Sequence, residues 1–249
     1  MCQDCGCGLT ERVALRGKQA RPVQYHLDVH QDILAKNDKI AQQNRRLFQT
    51  KRLTVLNFLS SPGSGKTALI ERMLTDCGSQ WRIGAIIGDL ATENDAQRLQ
   101  KLGASAVQVT TGNICHLDAE MVNQALLKLH LDDLDLLIIE NVGNLVCPAA
   151  YDLGEERRVV LLSVTEGEDK PLKYPTAFKT AQVAILNKID IAEAVGCERE
   201  LAVSHLQTMS PQATLFEVSA RTGEGIAAWY RYVEELMAQK RFRSTSAPE

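Results

Sequence analysis

No run of about 18 consecutive apolar residues occurs in the 249-residue chain, so no membrane-spanning helix is expected. The opening Met1-Cys-Gln-Asp-Cys-Gly-Cys7 lacks the basic-then-apolar pattern of a secretory signal, which places the expected compartment in the reducing cytoplasm. Charge of one sign is also missing. The 28 basic and 31 acidic residues leave a net charge of -3, and no field of that size draws a protein to nucleic acid or to a membrane surface. There is no internal repeat, and no low-complexity segment longer than the Ser/Thr/Ala/Pro-containing C-terminal tail. Disulfides are not expected in that compartment, so the seven cysteines read as thiols and candidate metal ligands. What remains is a chain 45% apolar and 24% charged, globular in composition and long enough to bury its own core.

The most informative stretch is Ser60-Ser-Pro-Gly-Ser-Gly-Lys-Thr67. It follows Leu53 to Leu59, an apolar run of strand length, and precedes Ala68 to Leu74, whose apolar residues recur at helical spacing. Strand, glycine-rich turn, Lys-Thr and helix is the setting of a phosphate-binding loop. Gly63 and Gly65 allow a backbone curl that aims several N–H groups, including that of Ser64, at one anion. The helix opening at Lys66 adds unpaired N–H groups and the positive end of its dipole. Lys66 neutralises outer phosphates, and the Thr67 hydroxyl suits Mg²⁺. The usual first glycine of the motif is replaced by Ser60.

Strand-like and helix-like segments alternate downstream. Strands are expected at 83–87, 106–110, 135–139, 159–164, 183–186 and 215–218, and helices at 91–101, 117–129, 191–209 and 226–239. This is the pattern of an α/β protein: a P-loop NTPase with a largely parallel twisted sheet of about seven strands and helices on both faces. Two segments are expected: a cysteine motif with a flexible connector over 1–25, and a nucleotide-binding domain over 26–249. The domain includes an N-terminal helix over 28–49 that Asp28 is expected to cap. Its apolar stripe contains Ile33, Leu34, Ile40, Leu47 and Phe48, and its charges read as a solvated face.

Each further motif lies just after an expected strand, on the edge where parallel sheets bind ligands. Asp89 and Glu140 are placed to serve Mg²⁺ together with Thr67, and Gly143 to offer an N–H to a γ-phosphate. Thr92, Glu93 and Asp95 form a polar loop that could respond to that phosphate. Lys66, Asp89, Glu140 and Asp95 are therefore the candidate catalytic residues. No Gln or Arg finger stands out, so hydrolysis should be slow or need a partner. Asn187-Lys188-Ile189-Asp190 is a guanine-reading N-K-x-D motif. Asp190 can accept from the ring N–H and the exocyclic amine of guanine, a donor pair adenine lacks. The stem of Lys188 can cover the base, and the Ser219-Ala220 loop can touch it through the backbone.

Two cysteine constellations remain. Cys2, Cys5 and Cys7 have a C-x-x-C-x-C spacing whose thiolates reach one Ni²⁺ or Zn²⁺ ion; the alternative is a redox pair or a tail without metal. Cys115-His116 and Cys147 follow two different strands and should meet on the same sheet edge. They suit Zn²⁺ or Ni²⁺, with a second subunit or water completing the site. Equally, the two thiols could be small core residues and His116 a satisfied surface histidine.

Taken together, M-C-x-x-C-G-C, the phosphate loop with its Ser60, Gly88-Asp89, Cys115-His-Leu-Asp118, Glu140-Asn-Val-Gly-Asn-Leu-Val-Cys-Pro148, Ser163-Val-Thr-Glu-Gly-Glu-Asp-Lys-Pro171 and Asn187-Lys-Ile-Asp190 resemble the HypB family. These are the nickel-incorporation GTPases of NiFe-hydrogenase maturation, within the SIMIBI class. The resemblance spans nearly the whole chain. It implies a homodimeric, GTP-dependent metallochaperone that delivers nickel to the hydrogenase large subunit with a partner nickel metallochaperone. It also implies a nucleotide-responsive metal site at Cys115, His116 and Cys147 and, in some members, a separate nickel site at Cys2, Cys5 and Cys7. Residues 8–25 contain no histidine, unlike relatives with a histidine-rich stretch, so bulk nickel storage is not implied. The alternatives are an accessory GTPase for another nickel enzyme such as urease, or a metal carrier whose GTP turnover is incidental.

Overall fold

The structure, a computed structural model, describes residues 22–89 and 94–242. Its centre is a seven-stranded sheet in the order β3-β2-β4-β1-β5-β6-β7, with every neighbouring pair parallel. The strands are β1 (Thr54–Ser60), β2 (Ile83–Asp89), β3 (Ser105–Thr110), β4 (Leu136–Glu140), β5 (Arg157–Ser163), β6 (Val183–Asn187) and β7 (Thr214–Glu217). β1, β4 and β6 are buried throughout, as near-continuous Val/Ile/Leu runs require when helices cover both faces.

Strand alternation sorts these residues into cores on opposite faces. Leu56, Phe58, Leu136, Ile138, Val159 and Leu161 face α2 (Lys66–Cys77), α3 (Asn94–Lys101) and α8 (Ile226–Phe242). The other face carries two clusters. One joins Val55, Leu137 and Ile139 to the end of α1 (Pro22–Thr50) and to α4 (Ala119–Leu126). The other joins Leu59, Val160 and Leu162 to the helices α6 (Pro175–Lys179) and α7 (Arg199–Met209). The short α5 (Lys170–Lys173) precedes α6.

The same face carries a buried polar seam at Asn57, Asn141, Glu155 and Arg158. Arg158 donates to Glu155 Oε1 (2.9 Å), the Ala149 carbonyl (2.8 Å) and the Tyr151 carbonyl (2.7 Å). Asn57 Nδ2 donates to the same Glu155 oxygen (3.2 Å), and Leu153 N to its other oxygen (2.8 Å). One guanidinium thereby fixes the loop between β4 and β5.

Two expectations are corrected. The first helix begins at Pro22, whose fixed φ suits a first turn, so Asp28 lies inside the helix and does not cap it. Its buried face includes Asn37 and Asn44, which bind the backbone at Asp152, Ala119 and Leu153, whereas Ile33 is 44% exposed. Arg45, assigned to the solvated face, is paired with Asp152 at 2.7 Å. The helix expected from Ile191 begins instead at Arg199, because a 3-10 turn (Ile189–Ile191) and Gly196 at φ +68° intervene. The cysteine motif, residues 1–21 of the connector, and Thr92 and Glu93 lie outside the described residues.

Arg158→Met should destabilise the protein by about 3–5 kcal/mol, because it strands the Glu155 carboxylate in the interior. Adding Glu155→Leu should recover part of that loss. Urea unfolding of the two variants checks both, and a single-variant loss below about 1 kcal/mol would mean the pair is effectively solvated.

Candidate functional site

The phosphate loop is shaped for an anion. Gly63 and Gly65 have φ of +77° and +95°, values that cost other residues steric strain. Gly65 also has no room for a side chain, since a Cβ there would stand 2.6 Å from Asn187 Nδ2. Lys66 opens α2 and its Nζ donates to Ser60 Oγ (2.8 Å). The hydroxyl that replaces the first glycine of the motif therefore parks the motif's lysine. Burial pulls the Lys66 pKa below its ordinary value, against the opposing charges of Glu140, Glu166 and Asp95. Ser64 Oγ reaches Glu166 Oε1 at 2.5 Å, which also accepts from Ser163 N at 3.0 Å.

Beside the lysine, the Thr67 hydroxyl donates to Glu140 Oε1 (2.7 Å), while Glu140 Oε2 is buried without a hydrogen-bond partner. Burial pushes the Glu140 pKa up to about 7, although Lys66 and Thr67 pull it down. A hydroxyl, a carboxylate and an unpaired buried oxygen form a hard oxygen donor set that fits Mg²⁺. Asp89 ends β2, and Asp95 lies in the first turn of α3, near enough to act electrostatically on both Lys66 and Glu140. Gly143 packs on the phosphate loop, where a Cβ would sit 3.0 Å from Pro62 Cα.

The N-K-x-D residues close on the other side of the loop. Asn187 Nδ2 donates to the Ser64 carbonyl (2.9 Å), and its Oδ1 accepts from Ala220 N (3.2 Å). Lys188, in the left-handed conformation at φ +63°, donates from Nζ to the Gly63 carbonyl (2.7 Å). Asp190 accepts from Ser219 Oγ (2.6 Å) and Arg221 Nε (3.0 Å). The Ser219 hydrogen bond, then Arg221, hold its pKa below the usual carboxylate range.

Cys115, His116 and Cys147 meet on the same sheet edge, with one ligand atom of each within 4.8 Å of the others. His116 is 3% exposed and stacks on Tyr151 at 3.9 Å between ring centroids. Its Nδ1 is buried without a hydrogen-bond partner, and burial lowers its pKa. A neutral imidazole with an unused buried nitrogen beside two thiols is a donor set for a borderline-soft divalent ion. The surface-histidine alternative does not survive this burial. Asn144 ties the two loops together by donating to the Cys115 carbonyl (3.3 Å).

The sequence reading passed over several participants. Glu166 lies in the 164–171 motif, read as a switch or a dimer contact but with no role for Glu166 itself, Arg221 lies outside the N-K-x-D pattern, and Tyr151 and Arg158 reach the site only through the folded β4–β5 loop. Asn141 was visible only as the neighbour of Glu140.

An all-parallel sheet with a phosphate loop after its central strand and an N-K-x-D loop after β6 defines a P-loop nucleotide-binding protein. The family model "CobW/HypB/UreG, nucleotide-binding domain" matches residues 54–217. The hydrogenase maturation factor HypB of Rhizobium leguminosarum bv. viciae is 48% identical over 221 residues, covering 89% of this chain and 74% of that protein. The hydrogenase/urease maturation factor HypB of Helicobacter pylori is 44% identical, covering 82% and 85%. The crystal structure of HypB from Helicobacter pylori in complex with nickel superposes with a TM-score of 0.78 at 41% identity, over 82% of this chain and 96% of that one. The chain belongs to the HypB hydrogenase maturation factors of the CobW/HypB/UreG family.

The raised Glu140 pKa has a consequence for the nucleotide-free protein. Between the unfolded value of 4.5 and the folded value of about 7, the folded chain holds a proton that the unfolded chain has lost. Stability should therefore fall as pH rises through that window and level off above it. Glu140→Gln should flatten this slope. Thermal unfolding across that range checks it, and parallel curves for the two proteins would mean the carboxyl is already ionised.

Proposed function

We propose that the protein is a GTP-hydrolysing metallochaperone of the cytoplasm that helps insert nickel into the large subunit of NiFe-hydrogenase. The observation that carries this reading is the continuity of one loop. Glu140 touches the phosphate-loop threonine, and seven residues later the same segment supplies Cys147 to a thiol–imidazole cluster. A nucleotide that reorders the first end acts on a metal ligand at the second.

In this reading residues 26–249 form the nucleotide-binding unit, and Cys2, Cys5 and Cys7 in residues 1–25 hold a second nickel site. The amides around Gly63, Ser64 and Gly65 orient the phosphates, and Lys66 leaves Ser60 to neutralise them. Thr67 and Glu140, with Asp89, would hold Mg²⁺, which would supply neutralisation of the phosphate charge. Gly143 offers its N–H to the γ-phosphate, and Asp89, Glu93 or Asp95 orients the attacking water. Asp190 selects guanine, Lys188 covers the base, and Asn187, Ser219 and Ala220 fix that pocket. No Gln or Arg finger stands out by sequence pattern, so turnover is slow until a second copy or a partner joins. GTP-dependent homodimerisation brings two three-ligand clusters together and regulates transfer of Ni²⁺, or Zn²⁺ in its place. The partners are the hydrogenase large subunit and a second nickel metallochaperone. The name of the Helicobacter pylori relative, a hydrogenase/urease maturation factor, supports urease as an alternative client.

Two variants test this. Asp190→Asn should cut the preference for GTP over ATP by on the order of a hundredfold, read by competition with a fluorescent nucleotide. Cys147→Ser should abolish nucleotide-dependent nickel release and hydrogenase maturation in cells while leaving GTP affinity within about twofold. Full maturation by Cys147→Ser would remove the metal cluster from the mechanism.

A further inference from the structure

We infer that Asn141 is the positioning residue through which nucleotide state reaches the Cys115–His116–Cys147 cluster. The inference rests on the reading that the two sites communicate, and it names the side chain that connects them.

Asn141 follows Glu140 directly and is 1% exposed. Its N–H still donates to the Phe58 carbonyl (3.0 Å), so it keeps strand-like pairing beyond the end of β4. Strand alternation sends the two neighbouring side chains to opposite faces. Glu140 goes to the phosphate-loop side and receives the Thr67 hydroxyl. Asn141 goes to the metal side, where its Oδ1 accepts from Leu117 N and Val142 N, both at 3.0 Å. Its Nδ2 points at Asn57 Oδ1, 3.5 Å away, and Asn57 bonds Glu155 in the polar seam. That seam runs on through Arg158 to the Ala149 and Tyr151 carbonyls, and Tyr151 stacks on His116.

Leu117 is the receiver. It immediately follows His116, is fully buried, and is held from two sides. Asn141 holds its N–H. Its side chain fills the space over Gly88, where a Cβ would stand 2.7 Å from Leu117 Cγ. Gly88 precedes Asp89, as Asn141 follows Glu140. The two strand ends that carry the Mg²⁺-side acids thus both bear on the residue next to the metal-site imidazole. When Thr67 and Glu140 rearrange around a nucleotide, the shift of the β4 end is passed by one hydrogen bond to Leu117 and so to His116. Interiors packed to this density transmit such displacements rather than absorb them.

The experiment uses the full chain with Cys2→Ser, Cys5→Ser and Cys7→Ser in every arm, which leaves one nickel site. Nickel affinity is read from thiolate–nickel absorption in the nucleotide-free, GDP and non-hydrolysable GTP-analogue forms. Without further change, the affinities of the GDP and analogue forms should differ by at least about fivefold, the lower end of measured couplings. In Asn141→Leu that ratio should fall to about one, while nucleotide affinity and nucleotide-free nickel affinity stay within about twofold. Asn141→Asp, which keeps the acceptor for Leu117 N and is the safer variant for folding, should retain most of the ratio. A ratio in Asn141→Leu as large as in the parent would overturn the inference and leave the communication between sites intact. If nickel affinity collapses in every nucleotide form of both variants, Asn141 only builds the site, and the inference is equally lost. Equal affinities in the parent would instead overturn the reading beneath it, and the inference with it.

Discussion

One step of the pleat governs this molecule. At the end of β4, beside the central strand β1, Glu140 turns to the phosphate loop and Asn141 to the thiol–imidazole cluster. Side chains on a strand must alternate, so two consecutive residues reach two chemistries on opposite faces without a domain interface between them. The sheet order places β4 between β1, which delivers the phosphate loop, and β2, which delivers Asp89. Any ligand that repositions the end of β4 is felt on both faces.

The polar seam shows what this arrangement costs. Asn57, Asn141, Glu155 and Arg158 occupy buried positions that apolar side chains would fill with less desolvation. Every one of them is hydrogen-bonded, and their partners are mainly backbone groups of the loops that carry the cluster. A leucine at any of these positions would stabilise a core but could not hold a carbonyl or an amide at a fixed place. The seam also divides the apolar face into one cluster against α1 and α4 and another against α6 and α7. The loop from β4 to β5 lies over that division, held by directional bonds.

Much of this was legible in the sequence, because it follows from local rules. The β-period apolar runs, the glycine-rich turn before Lys66 and the N-K-x-D motif each carry their own context, and the seven parallel strands follow from their order. The meeting of Cys115, His116 and Cys147 was expected from topology alone. What remained hidden depends on contacts across long sequence separations. Asn37 and Asn44 carry no signal in the sequence, yet they are buried because α1 covers the backbone at Ala119 and Leu153. Arg158 belongs to no motif and Asn141 lies in the 140–148 motif without a role of its own there, and their roles arise only when two loops are brought beside them. The helix expected from Ile191 starts at Arg199 because apolar spacing says nothing about a left-handed Gly196.

The nucleotide pocket is built from bonds that a ligand must exchange. Lys66 is held by Ser60, Lys188 by the Gly63 carbonyl, and Asp190 by Ser219 and Arg221. Each charged group that would read GTP already has an internal partner, so none bears the penalty of an unpaired buried charge. Binding is therefore a replacement, and its net gain is the difference between two satisfied states. Guanine can match Asp190 donor for donor, whereas adenine would displace Arg221 and return nothing to the carboxylate. Glu140 differs, because the Thr67 hydroxyl can offer a lone pair to a metal ion and still donate its proton to Glu140 Oε1, while the unpartnered Oε2 has a bond to gain. A metal ion that drew in Thr67 and Glu140 together would therefore bear on the end of β4, one residue from Asn141.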